Sequence, residues 1–249
     1  MAGGIRIKVV GAGGIGTHLF DALCMYLSHG DFPSVEVSII DGDTYEHRNR
    51  ERQIFDEIGP KATVTAERLK EMYPDIMFFD HPDYVDEDNV VRFIREDDVV
   101  FICVDNHISR KFISDRAEEL DNVTVICGSN DIEDGNVIVH VRRDGENLTL
   151  PVSKHMDDMA DPDPELHPSK VEESQGCEAQ VAAEPQLVVT NNAVAALMLN
   201  AFYGTLKKQW TNELFGYSFV YHNVVKNNTR CEKFTKMKIT RRQASEGEK

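Results

Sequence analysis

The sequence predicts an α/β fold: a doubly wound, mostly parallel sheet with an antiparallel C-terminal extension. Three observations predict it. Short β-branched runs alternate with helical stretches through the first half of the chain, at a spacing that calls for right-handed crossovers. A glycine-rich turn, Gly11-Ala12-Gly13-Gly14-Ile15-Gly16, follows the first run. After Gly128 the alternation stops and a hairpin signal replaces it.

The elements follow in order. Ile5 to Val10 is a short apolar strand, and Leu19, Leu23, Met25 and Leu27 lie in a helix ending near Gly30. Val35 to Ile40 is a second strand, and Lys61 to Met72 an amphipathic helix with Val64 and Leu69 facing inward. Ile76–Phe79, Val99–Val104 and Val123–Cys127 are further strands, separated by helices around Val90–Ile94 and Ile108–Leu120. Val137–Val141 and Leu148–Leu150 flank Arg143-Asp144-Gly145-Glu146, a hairpin with an Asp-Gly turn.

Residues 151–185 carry five prolines, many acids and little periodicity, and read as a long loop. Structureless loops beyond about 15 residues are uncommon in compact domains and usually serve function. Gln186 to Leu206 resumes as a largely apolar helix, with more apolar surface than one side of a sheet covers, so it is expected to form an interface. Tyr217–Val225 and Phe234–Ile239 are expected as closing strands, and Arg241–Lys249 as a polar tail. The whole chain, 1–249, is read as one domain: a nucleotide-binding half to 128, the hairpin at 129–150, the loop at 151–185, and the interface helix with closing strands at 186–249.

Composition narrows the function. The 249 residues are 41% hydrophobic and 28% charged, ordinary for a globular protein. A net charge of −16 opposes general attraction to nucleic acid or to an anionic leaflet, so neither is expected as a partner. No run approaches the roughly 20 apolar residues of a membrane span, and no leader pattern follows Met1. The five cysteines (24, 103, 127, 177 and 231) are scattered, with no Cys-x-x-Cys pair. A disulfide framework and a cysteine-held zinc are therefore not expected, and a reduced, cytoplasmic protein is.

The glycine turn carries the first chemistry. Gly11, Gly13, Gly14 and Gly16 let the backbone approach a phosphate, while the helix start offers unpaired N–H groups. Asp41, closing the second strand, is placed to accept hydrogen bonds from ribose hydroxyls. A tight turn with no ligand is the alternative. These two features alone would suggest a dehydrogenase.

The next residues break that suggestion. Asp41-Gly42-Asp43-Thr44-Tyr45-Glu46-His47-Arg48-Asn49-Arg50-Glu51-Arg52-Gln53 is polar where a dehydrogenase enters its next helix. Gly59-Pro60-Lys61-Ala62 follows at a helix start, then Asp105-Asn106 at a strand end with Arg110 four residues on. In this order the three strings resemble the adenylating domain of ubiquitin-activating enzymes and their bacterial relatives, the ThiF/MoeB/HesA family, over about residues 5–206. The resemblance implies a Rossmann-like fold and an adenylyltransferase. It implies that Asp41 binds ribose, that Asn49, Arg52 and Lys61 contact the phosphates of ATP, and that Asp105 holds Mg²⁺. Asp43, Gln53 and Asn106 belong to the same strings and are expected to line the nucleotide. Lys61 is informative by itself, because a cation at a helix N-terminus opposes the macrodipole unless an anion sits there. Taken singly, Arg52 could form a surface salt bridge, Lys61 a solvated first turn, and Asp105 a helix cap. Arg110 is expected to pin the Asp105 loop.

The implied substrate is a ubiquitin-like or sulfur-carrier-like protein with a C-terminal glycine, and a conjugating-enzyme-like protein is a further expected partner. Cys177 lies at the end of the long loop, and Cys177-Glu178-Ala179 resembles the family's thioester cysteine. An inert loop cysteine is the alternative, and Glu172, Glu173 and Glu178 would raise its pKa. The chain departs from many relatives in lacking two Cys-x-x-Cys pairs, so no zinc is expected, and with the first strand starting near Ile5 no arginine-bearing N-terminal arm is expected. Arg48 or Arg50, which replace the family's usual Ser and Leu, or another subunit, would then supply that charge. A homodimer is expected. The short, zinc-free form is similar to stand-alone activating proteins encoded beside ubiquitin-like genes in bacteria, some linked to anti-phage defence; that is analogy. Adenylation without a thioester, and a non-catalytic nucleotide-binding subunit, remain as alternatives.

Overall fold

A computed structural model describes residues 4–155, 188–211 and 219–232. The expected alternation is realised. In chain order the elements are β1 (Ile5–Val10), α1 (Gly14–Ser28), β2 (Val35–Ile40), α2 (Lys61–Met72), β3 (Met77–His81), α3 (Val90–Phe93), β4 (Val99–Ile102), α4 (His107–Glu119) and β5 (Val123–Asn130). Then come β6 (Asp134–Arg143), β7 (Glu146–Asn147), α5 (Val188–Thr211), β8 (Phe219–Asn223) and β9 (Asn228–Glu232). Short 3₁₀ turns lie at His47–Glu51 and Val152–Lys154.

One sheet runs β3-β2-β1-β4-β5-β6-β8-β9, with β7 paired to β6. Strands β1 to β5 are mutually parallel, and the pairs from β5 to β6 onward are antiparallel. The strand order reverses direction at β1, so the crevice between the carboxyl ends of β1 and β4 is the place where such sheets bind ligands.

Both faces of the sheet are covered, which is why its strands are nearly continuous apolar runs. Ile5, Ile7 and Val9 pack against Leu19, Phe20 and Leu23 of α1, Ala66 and Leu69 of α2, and Met198 and Phe202 of α5. On the opposite face Val10, Ile40, Val100 and Ile102 meet Phe93 of α3 and Ile113 and Ala117 of α4. The turn of the β6–β7 hairpin has positive φ at both Asp144 (50°) and Gly145 (74°), the mirror-image turn that an Asp-Gly pair favours.

One strand near the C-terminus is absent from the sequence expectation: Asn228–Glu232 is strand β9, paired with β8. Its residues are almost all exposed and polar, so the edge strand shows no alternation for a sequence reading to detect. The strand expected at Phe234–Ile239 lies outside the described residues, as do Gln186 and Leu187 of the expected interface helix, most of the 151–185 loop, and Cys177.

Candidate nucleotide site

The site is built at the carboxyl ends of β1, β2 and β4. After β1 the chain turns sharply at Gly11 (φ 100°), where an added Cβ would meet the Cys103 backbone at 2.8 Å. Gly16 is equally constrained: a Cβ there would lie 2.1 Å from the Gly11 carbonyl oxygen. These glycines admit the close packing of α1 on the strand ends and leave the first turn of α1 open.

Asp41 ties the glycine turn to β2. Its Oδ2 accepts the Ala12 N–H at 2.6 Å and its Oδ1 accepts the Asp43 N–H at 2.8 Å. Burial, reinforced by the neighbouring Asp43 charge, pushes the Asp41 carboxyl up to about 6 against the pull of Lys61 and the two N–H donors. Asp43 goes the other way. Burial would raise it, but the Lys61 charge together with donors from Lys61 and Tyr84 outweighs burial and holds it below the usual carboxylate range. The Tyr84 hydroxyl donates to Asp43 Oδ1 at 2.5 Å, and its ring lies so close over Gly42 that a Cβ there would meet it at 2.6 Å.

Lys61 is brought in by the backbone. Tyr45 N–H donates to the Gly59 carbonyl, and Lys61 N–H donates to the Asp43 carbonyl, each at 2.8 Å. This short antiparallel bridge seats the first residue of α2 beside Asp43, and Lys61 Nζ donates to Asp43 Oδ2 at 2.6 Å with its side chain only 8% exposed. Burial disfavours its charge, yet Asp41, Asp43 and Asp105 together more than offset that and raise its pKa.

The Asp43–Gln53 segment is held beneath by Tyr45, which is fully buried, donates to the Ala12 carbonyl at 2.8 Å and stacks on Phe55 at 4.4 Å. Asn49 uses its Oδ1 to accept the Glu46 N–H, capping the 3₁₀ turn. Arg52 ends that turn half-buried, and among the described residues its guanidinium enters no ion pair or hydrogen bond. Gln53 is buried beside Gly13, its Oε1 without a partner among the described residues. Arg48 pairs with Glu46, and Arg50 lies over the Phe55 ring and donates to the Phe55 and Asp56 carbonyls.

After β4, Asp105 is exposed and enters no hydrogen bond or ion pair among the described residues. The next residue, Asn106, is committed to capping α4, its Oδ1 accepting the Ser109 N–H at 2.8 Å. Arg110, buried, donates to the Val104 carbonyl at 2.7 Å and so braces the backbone just before Asp105. The structure therefore gathers Gly11–Gly16, Asp41, Asp43, Lys61 and Asp105 at one end of the sheet, and gives Asn49 and Asn106 capping bonds as well.

Three residues that the sequence reading passed over belong to this region. Tyr84 clamps Asp43, Tyr45 supports the glycine turn, and Asn191 reaches Gly14 from α5. The only local hint was Gly14 itself: a Cβ there would stand 2.6 Å from Asn191 Nδ2.

A doubly wound sheet with a glycine turn, a strand-end carboxylate and a buried lysine at its switch point is the arrangement in which open α/β sheets bind ligands. The family is shown by comparison: residues 3–246 match the ThiF family, and the chain belongs to it. The chain is similar to the adenylyltransferase and sulfurtransferase UBA4 of Candida albicans, with 28% identity over 138 residues covering 54% of this chain and 30% of that one. It is also similar to the SAMP-activating enzyme E1 of Haloferax volcanii, 32% identical over 114 residues covering 44% of this chain and 40% of that one. The chain thus spans less than half the length of either relative. Among solved structures, E. coli MccB with ATP shares the fold at a TM-score of 0.66 and 16% identity, covering 93% of this chain and 64% of that one.

Proposed function

We propose that the chain adenylates the C-terminal glycine carboxylate of a ubiquitin-like or sulfur-carrier-like protein with ATP, and then carries the acyl group on Cys177. The observation that supports this best is the convergence of Asp41, Lys61 and Asp105 around one open helix N-terminus, with Arg52 at the end of the adjoining turn. The similarity to an adenylyltransferase–sulfurtransferase and to a SAMP-activating enzyme points the same way.

In this reading Asp41 accepts the ribose hydroxyls, and Gly11–Gly16 receive the phosphate on the unpaired N–H groups of α1. Arg52 and Lys61 stabilise the charge that develops on the phosphoryl oxygens. A substrate carboxylate oxygen attacks the α-phosphorus and pyrophosphate leaves, giving an acyl-adenylate. Asp105 fits as a Mg²⁺ ligand, since Mg²⁺ is usually held by one or two carboxylates together with substrate phosphates, and this carboxylate is exposed and uncommitted beside Lys61. When bound, the metal supplies charge neutralisation at the phosphates.

The Cys177 thiolate then attacks the acyl carbon and AMP leaves, forming a thioester. The other cysteines support this choice. Cys24, Cys103 and Cys127 are buried, and burial pushes each thiol up, Cys24 to about 12. Cys231 is exposed but lies on β9, five strands along the sheet from β1 and so about 24 Å away at about 4.8 Å per strand. Exposed Val188, Val189 and Tyr203 on α5 support a homodimer, which light scattering at micromolar concentration would test.

Calorimetry separates this reading from a dehydrogenase: MgATP binds and NAD binds weakly, whereas tight NAD binding without ATP binding overturns it. For the thioester, Cys177→Ala keeps ATP–pyrophosphate exchange and loses a reductant-sensitive adduct with the cognate protein. An adduct that persists in Cys177→Ala removes Cys177 from the role.

A further inference from the structure

We propose that Asn191, in the first turn of α5, is a phosphate-binding residue of the nucleotide site, held in its donating orientation by Asn130. This rests on the nucleotide reading above and adds a ligand from an element far along the chain.

Asn191 is fully buried, yet its Nδ2 has no hydrogen-bond partner among the described residues. A buried amide donor without an acceptor is left with its full desolvation penalty, so a native donor placed this way calls for an acceptor. The orientation of the amide is set from the other side: Asn130 Nδ2, at the end of β5, donates to Asn191 Oδ1 at 2.7 Å. With Oδ1 occupied, Nδ2 is the end of the amide nearest Gly14, 2.6 Å from where a Cβ on that residue would be. Thr190 anchors the same turn by donating to the Ile132 carbonyl at 2.9 Å.

Gly14 is the first residue of α1, where the N–H groups of the opening turn lack intrahelical acceptors. A donor side chain placed there joins backbone donors that already favour an anion. The acceptor with matching charge is the phosphate oxygen nearest Gly14. The glycine at position 14 then has a second reason to exist: any side chain would displace the Asn191 amide.

The test compares ATP with adenosine, so that loss of phosphate contact is read apart from loss of the site. In Asn191→Ala, ATP affinity falls about tenfold or more, the range for one hydrogen bond to a charged group, while adenosine affinity, by competition, is unchanged. The near-isosteric Asn191→Asp keeps the shape and places a carboxylate against the anion, and ATP affinity falls further. Asn130→Asp removes the one donor to Asn191 Oδ1 among the described residues and offers an acceptor instead, so the Asn191 amide turns over and ATP affinity falls. Asn191→Asp with parental ATP affinity overturns the inference, as does an equal loss of ATP and adenosine in all three variants. Parent protein that binds no ATP overturns the nucleotide reading itself, and the inference with it.

Discussion

Lys61 Nζ lies 2.6 Å from Asp43 Oδ2, and the same two residues are joined again through the backbone, Lys61 N–H to Asp43 carbonyl at 2.8 Å. A buried ammonium at a helix start opposes the macrodipole, and here three carboxylates offset it: Asp41, Asp43 and Asp105. A triphosphate entering this end of the sheet meets the same carboxylates. On the proposed reading, Lys61, Arg52 and a metal at Asp105 would together offset that repulsion.

Removing Lys61 should hurt both stability and binding. Lys61→Ala leaves Asp43 and Asp41 as uncompensated carboxylates, costing about 1–3 kcal/mol, between an exposed and a buried pair. The double variant Lys61→Ala/Asp43→Ala should recover part of that stability and none of the ATP affinity. Urea unfolding and ATP titration of the single and double variants measure the two effects separately. Additive stability losses would show that the two side chains do not act as a pair.

Nucleoside binding should depend on pH through Asp41. With its carboxyl pushed up to about 6, the acceptor for ribose is lost as pH falls through that value, so adenosine affinity drops between pH 7 and 5. Stability moves oppositely. The folded state takes up this proton before the unfolded chain, whose carboxyl titrates near 4, so this group favours folding as pH falls from about 6 to about 4. Adenosine titrations across this range check the first statement, and unchanged affinity would separate Asp41 from the ribose.

His140 should make the fold acid-sensitive. It is fully buried on β6, with Nε2 2.9 Å from Asn147 Oδ1 and Nδ1 unpartnered among the described residues. Burial holds its pKa down at about 4 against 6.5. The unfolded chain therefore binds this proton first, and the stability His140 gives above pH 6.5 is lost as pH falls toward 4. His140→Gln should flatten the melting temperature between pH 6.5 and 4; an equally steep decline in the variant would place the acid sensitivity elsewhere.

The sequence displayed the parts of this molecule that are local. The β2 and α2 boundaries, Val35–Ile40 and Lys61–Met72, follow from hydrophobic pattern, and the Asp144-Gly145 turn from backbone sterics. The motif strings located Asp41, Lys61 and Asp105 because each follows directly from a strand end or a helix start. Tyr84 and Asn191 were illegible for the opposite reason. They reach the site from β3's exit and from a helix far along the chain, and nothing in their neighbours marks either as polar by purpose. Strand β9 was missed because it is an exposed edge, held by backbone pairing to β8 and lacking an apolar face.

ATP–pyrophosphate exchange tests the central claim most directly. With MgATP, labelled pyrophosphate and a panel of proteins ending in glycine, label should enter ATP only when a cognate protein is added. Asp105→Asn should abolish that exchange while leaving the melting temperature within the small range expected for an exposed residue. Conversion of ATP to ADP and phosphate, with no label returning to ATP, would contradict adenylyl transfer by this chain.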